Sequence, residues 1–186
     1  MDALMFILLG MVVVVCLIIS IYTFLHNKMQ DYIIRINEVE AIIDNDLRDK
    51  YDNLNKCVSI IKGIKDLEKK IDEAMFDEFI RLKTKKISNF DLDRALVEHE
   101  SLMISLKEKY KEIKDNEDLK ELFRKIEDNN DNLSVHKEYY NKNIAEYNKL
   151  ITLFPTNIIA KIGKYEEKLF FDRKDMSDDD YNDFKL

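Results

Sequence analysis

From Tyr140 to Tyr165 the chain reads "YNKNIAEYNKLITLFPTNIIAKIGKY", in which a Tyr140-Asn141 pair returns seven residues later as Tyr147-Asn148, ahead of the only proline, Pro155. Seven residues are two helical turns, so Tyr140 and Tyr147 share one stripe of an α-helix, and Asn141 and Asn148 lie about 100° round it. The same stripe runs through Leu119, Leu122, Ile126, Asn130, Leu133, Lys137, Ile144, Ile151 and Phe154. This spacing predicts one long helix from Glu117 to Leu153. Pro155 disfavours helical geometry at Phe154 and suits the first turn of a new helix, so the long helix should stop there and a short one should begin in a new direction. At that corner Thr156 or Asn157 is expected to hydrogen-bond exposed backbone groups, with Phe154 and Ile158 covering the end of the core.

Working back, Leu92, Leu96, His99, Met103, Leu106, Tyr110 and Ile113 alternate four- and three-residue steps, predicting a helix that starts at an N-cap Asp91 and closes near Asn116. Val58, Ile61, Leu67, Ile71, Met75, Phe79 and Leu82 predict another from Leu54 to Ile87. Met29, Ile33, Ile36, Glu40, Ile43 and Leu47 form the first seam. Between those two, Asp52, Asn53 and Asn55 favour a turn or a break, because short polar side chains compete for backbone hydrogen bonds. With three glycines and one proline in 186 residues, a sheet fold lacks its turn residues. The expected class is all-α, an antiparallel up-and-down four-helix bundle, or three longer helices where Asp52, Asn53 and Asn55 only kink a continuous one.

The stretch "ALMFILLGMVVVVCLIISIYTFL", Ala3 to Leu25, carries no charge over 23 residues. As a helix it is about 34 Å long at about 1.5 Å per residue, enough to cross a hydrocarbon core of about 30 Å. It lacks the basic start and small-residue cleavage site of a secretory signal, and is expected to remain as a transmembrane helix. Lys28, Arg35, Arg48 and Lys50 follow the run and no Lys or Arg precedes it, so the expected topology is a cell-membrane protein with a short N-terminus outside and the bulk cytoplasmic. The expected organisation is an N-terminal segment and span over 1–25, a cytoplasmic helical bundle over 26–171, and a solvated acidic tail over 172–186.

At the opening stretch the chain resembles the LemA family of bacterial membrane-anchored helical proteins. The residues that carry the resemblance are Tyr140-Asn141, Tyr147-Asn148, Phe154-Pro155-Thr156-Asn157 and Ile159-Ala160, with Phe170-Phe171-Asp172 as a closing aromatic-acidic element. Upstream, Glu40-Ala41 with Asp44 and Asp46, Lys62-Gly63, and Tyr110 with Asn116 find counterparts. Ile42 stands at the usual tryptophan, Asn55 at the usual proline, and Lys164 where a glycine is common. The resemblance implies one span, a cytoplasmic bundle, no catalytic residues, and a role in envelope maintenance.

Several chemistries find no support in the residues. The net charge of −7 disfavours nucleic-acid backbones. No Glu-x-x-His or H-E-x-x-H pattern offers metal ligands, and His99 reads as a hydrogen-bonded core histidine. Asp178, Asp180 and Asn182 lack the glycine and glutamate of a calcium loop. No glycine-rich phosphate cradle exists, and Cys57 reads as a packed small residue. Arg81, Lys83, Lys85 and Lys86 read as cations at a helix C-terminus. Neither catalytic nor metal residues nor a cofactor is expected. Lys161, Lys164 and Lys168, interleaved with apolar residues after Pro155, are candidate contacts with the lipid bilayer. The expectation is a non-enzymatic scaffold whose partners are the bilayer and another membrane or cytoplasmic protein, with a homo-oligomer also compatible with the seams. The alternatives are an enzyme with a site hidden between helices and a lipid-responsive membrane organiser.

Overall fold

The computed structural model describes residues 2–65, 67, 71, 74–82 and 87–173, with only the backbone described for 2, 74, 75 and 78. Every regular element among them is helical: α1 (Asp2–Lys62), α2 (Ala74–Leu82), α3 (Asn89–Lys109), α4 (Lys111–Lys114), α5 (Glu117–Thr152) and α6 (Thr156–Ile162). The expected side chain of Met75, the cations Lys83, Lys85 and Lys86, and the acidic tail from Asp175 lie outside the described residues. The chain divides into two compact units, Met1–Glu38 with Tyr140–Leu186, and Val39–Tyr139.

Of the two readings at Asp52–Asn55 the break is the one corrected: α1 is continuous there and runs on to Lys62. Tyr51, Leu54, Cys57, Val58 and Ile61 are buried at helical spacing through this stretch, while Asp52 is exposed and Asn53 and Asn55 are half-buried. Burying that stripe outweighs the few tenths of a kcal/mol per residue by which Asn and Asp disfavour a helix. The seam also shifts at one position, because Val39 is buried and Glu40 is exposed. An inward Glu40 would need a buried partner for its charge.

The second expected helix, Leu54–Ile87, is replaced by the end of α1, a turn at Gly63 and the short α2. The Gly63 N–H closes onto the carbonyls of Ser59 and Ile60, and Ile64 N–H onto Ile61. Helix α3 is capped by Ser88 rather than Asp91: the Ser88 hydroxyl oxygen accepts from Asp91 N–H at 3.2 Å and donates to the Asp91 carboxylate at 2.8 Å. Asp91 is thus the third residue of the helix, and its carboxylate accepts from the capping hydroxyl. The run expected to reach Asn116 is interrupted at Tyr110, whose backbone is extended (φ −118°, ψ 118°) between α3 and α4. Asn116 then caps α5, its side-chain oxygen accepting from Leu119 N–H at 3.0 Å.

In the unit Val39–Tyr139 the apolar core includes Ile43, Leu47, Leu54, Phe76, Phe79, Leu96, Met103, Leu119 and Ile126. Tyr51 stacks on Phe79 with ring centroids 4.8 Å apart, and Phe79 packs against His99 at 4.6 Å. His99 thus sits in an aromatic group, with Nδ1 3.1 Å from the Ala95 carbonyl. Cys57 is fully buried beside this core, and burial pushes its thiol up to about 11. A thiol with a raised folded-state pKa holds its proton more tightly in the native state. Its contribution to stability is complete below pH 9 and is lost as pH rises toward 11, by about 2 kcal/mol. The expected result is a falling denaturation midpoint across that window, with a shallower slope in Cys57→Ala. The raised phenols of Tyr51 and Tyr147 add a loss of the same sign above pH 10.

Candidate functional site

In the unit Met1–Glu38 with Tyr140–Leu186, the apolar run and the repeated Tyr-Asn pairs each take on a defined role. From Ala3 to Phe24 every side chain of α1 is exposed, so this stripe has no protein surface to cover it. Its polar side chains are satisfied within the helix: Ser20 Oγ donates to the Cys16 carbonyl at 2.8 Å and Thr23 Oγ1 to Ile19 at 2.9 Å. Such internal pairing is what a helix in hydrocarbon requires. Burial begins at Met29, which joins Ile36, Ile144, Tyr147, Ile151, Ala160 and Phe170 in one cluster.

After α6 the chain turns and runs back along α5 as an irregular strap, 165–170. Asn148, only 1 % exposed, holds it at both backbone groups of one residue: Asn148 Nδ2 donates to the Lys168 carbonyl at 2.7 Å, and Lys168 N–H donates to Asn148 Oδ1 at 2.9 Å. One heptad earlier, Asn141 Oδ1 accepts from Phe171 N–H at 2.8 Å. The two periods match. Seven residues of helix rise about 10.5 Å at about 1.5 Å each, and three residues of extended chain span about 10 Å at about 3.3 Å each. The repeat of Tyr-Asn at seven is therefore what lets one helix face grip a strap at Lys168 and Phe171. The tyrosines complete the grip: Tyr147 donates its hydroxyl to the Glu166 carbonyl at 3.1 Å, and Tyr140 meets Phe171 edge-on at 6.3 Å. Burial, with Tyr165 and Glu166 nearby, holds the Tyr147 phenol above its ordinary pKa.

The corner at Pro155 turns through a hydroxyl. Thr156 Oγ1 donates to the carbonyls of Leu150 and, at 2.7 Å, Leu153, groups left open at the end of α5. Asn157 donates its backbone N–H to Leu153, while its buried Oδ1 has no hydrogen-bond partner among the described residues. Ala160 is buried and Ile159 packs against the cluster. The expected covering role of Phe154 and Ile158 is not met: Phe154 is 79 % exposed and Ile158 52 % exposed. Thr156 and Ala160 close this end instead, so those rings and branches are left outward. Of the three candidate lysines, Lys161 and Lys164 are exposed, and Lys168 is half-buried with its backbone held by Asn148.

Helix α6 ends in a Schellman pattern, Tyr165 N–H to the Ala160 carbonyl at 2.9 Å and Lys164 N–H to Lys161 at 3.3 Å, which demands a left-handed residue at the position after the cap. Lys164 fills it at φ 54°. The turn delivers Tyr165 to α1, where Gln30 Nε2 donates to the Tyr165 hydroxyl at 2.8 Å and that hydroxyl lies 2.8 Å from His26 Nδ1. His26 in turn stacks on Tyr22 at 5.9 Å. Sequence reasoning missed His26, Gln30 and Tyr165 as a set, because 139 residues separate the two ends and no local pattern links them.

The other unit carries a second polar group. Lys50, 1 % exposed, places its ammonium 2.7 Å from Glu100 Oε2 and 2.7 Å from Asn130 Oδ1, and Asn130 Nδ2 donates to Glu100 Oε1 at 2.7 Å. Asp46 Oδ2 lies 2.6 Å from His136 Nδ1, and Asn129 Nδ2 donates to the Asp46 carbonyl at 3.1 Å. Lys137 reaches Asp93 at 2.8 Å. Among the described residues no group of three or more His, Cys, Asp or Glu side chains could hold a metal ion.

A family model described as the LemA family matches residues 40–182. The chain belongs to the LemA family. No curated protein gives a significant match. The LemA match covers the strap and both Tyr-Asn pairs that grip it, and it also takes in the Lys50, Glu100 and Asn130 triangle. It starts after the apolar run, which rests on its own exposure and composition. At the position where the family resemblance puts a glycine, Lys164 is the left-handed residue of the α6 cap, where a missing Cβ would relieve strain.

Proposed function

We propose that this LemA-family chain is a single-pass, membrane-anchored helical scaffold without catalytic activity, whose role lies in protein association at the membrane and in envelope maintenance. The observation that carries the reading is the uncovered apolar stretch of α1, exposed from Ala3 to Phe24 and long enough to cross a bilayer. Ala3–Leu25 is read as the span. Lys28 and Arg35 follow it directly, which favours a cytoplasmic side for the residues after Leu25.

The helices after the span are read as an up-and-down antiparallel four-helix bundle. Pairing order supports this within Val39–Tyr139: Glu100 bonds Asn130 while Asp93, seven residues earlier, meets Lys137, seven residues later. Lys50 with Asn130 and Asp46 with His136 run in opposite order too. The non-enzymatic reading is supported by the pairing of Glu100, Asp46 and Asp93 Oδ2 with lysine, histidine or amide groups, while Asp93 Oδ1 is buried without a partner among the described residues. Charged outer faces then supply the surface for a protein partner.

The test is crosslinking of the full-length protein in its native membrane, with the span alone as control. Reproducible capture of one protein that depends on residues after Leu25 supports the scaffold. Capture of nothing, together with extraction of the chain by alkaline carbonate, would remove both the anchor and the association.

A further inference from the structure

We propose that the α5–α6 corner is a lipid-docking surface, seated in the interface of the same membrane that α1 enters and inserting Phe154 with Ile158 and Ile162. The proposal rests on the reading of Ala3–Leu25 as a span and adds a second point of membrane contact to it.

Four apolar side chains crowd this corner without cover: Leu153 at 54 % exposure, Phe154 at 79 %, Ile158 at 52 % and Ile162 at 65 %. Ile158 and Ile162 are four apart on α6 and share one face. The opposite side of α6 is spoken for, since Ala160 and Ile159 pack on the cluster that contains Met29. What identifies the occupant is the tether. Tyr165, bonded through its N–H to the last turn of α6, reaches His26 and Gln30 through its hydroxyl, and His26 is the first residue beyond the apolar run. Met29, the first buried residue of α1, lies about 6 Å past Leu25 at about 1.5 Å per residue. The headgroup layer on each side of the hydrocarbon is about 5 to 7 Å deep. The corner is therefore held at headgroup level, within the depth at which an interfacial apolar face buries itself.

Charge plays a lesser part. Lys161 and Lys164 are exposed beside the patch, but so are Glu166 and Glu167, which leaves the local balance near neutral. Attachment by apolar insertion accordingly persists on zwitterionic lipid, unlike attachment through a polybasic patch.

The chain has no tryptophan, so a single introduced one reports alone. Full-length Phe154→Trp would be reconstituted in vesicles of equal parts phosphatidylcholine and phosphatidylglycerol, and in phosphatidylcholine alone, each with and without brominated acyl chains. Leu17→Trp reports the span, and Ile34→Trp, an exposed position on α1 beyond it, reports water. The expected result is blue-shifted emission from Phe154→Trp, with at least twofold quenching by the bromines in both lipid mixtures, while Ile34→Trp is unaffected. Quenching of Leu17→Trp with Phe154→Trp left like Ile34→Trp would overturn the docking surface and leave the span standing. A blue-shifted but unquenched Phe154→Trp, the mark of a protein partner, would overturn it as well. An unquenched Leu17→Trp would sink the span reading itself. Phe154 is so exposed that its replacement leaves the fold intact.

Discussion

Replacing Lys50 by methionine is expected to lower the unfolding free energy by about 3 kcal/mol, and replacing Glu100 by leucine in the same chain to restore most of it. The asymmetry follows from where the charges sit. Lys50 is 1 % exposed, and its ammonium is bonded to Glu100 and to Asn130. Glu100 is 18 % exposed at its side chain, so its carboxylate depends on that ammonium. Removing one member of a buried pair costs about 3 to 5 kcal/mol, because the other charge remains without compensation, while replacing both by apolar groups is close to neutral. The lower figure applies since Glu100 keeps some water and the Asn130 amide. Urea denaturation of the full chain in detergent, followed by helical circular dichroism and by amide exchange in α3, reads both variants. If the single variant is as stable as the parent, the triangle plays no part in holding α1, α3 and α5 together.

The second large effect is expected at Asn148. Asn148→Ala removes one donor and one acceptor from a fully buried position and strands the N–H and the carbonyl of Lys168. Each lost bond is worth about 1 kcal/mol net, and each stranded buried group adds to that, so the cost is about 2 to 4 kcal/mol. The effect should be concentrated in the strap, where the amides at 166–171 exchange much faster while those of α3 are unchanged. Asn148→Asp is expected to do no better, since it sets a carboxylate against the Lys168 carbonyl. Asn141→Ala, which loses a single bond to Phe171 at a half-buried position, should cost about 1 kcal/mol. Equal effects from Asn141→Ala and Asn148→Ala, or exchange changes spread evenly over both units, would contradict the matched-period account of the Tyr-Asn repeat.

These two positions were not equally legible. Asn148 stood out in the sequence through its repeat, although its bonding partner did not. Lys50 read only as one cation among several after the apolar run, because nothing near it in sequence announces Glu100 or Asn130. A buried lysine is visible only once three helices meet around it.

By itself, the sequence determined the features that depend on neighbours within a turn or two of backbone. The helical class, the extent of α5, the stop at Pro155 and the apolar run from Ala3 to Leu25 all follow from periodicity, ring closure at proline and the absence of charge. Tertiary structure decided the rest, each time through a competition that local pattern cannot weigh. Asp52, Asn53 and Asn55 disfavour a helix weakly, and the buried stripe from Tyr51 to Ile61 carries α1 through them. Phe154 continues the α5 seam by spacing, yet the chain turns one residue later and leaves it outside. The strap has no periodicity of its own, and takes its course from Asn141, Tyr147 and Asn148 on α5, from His26 and Gln30 on α1, and from the burial of Phe170.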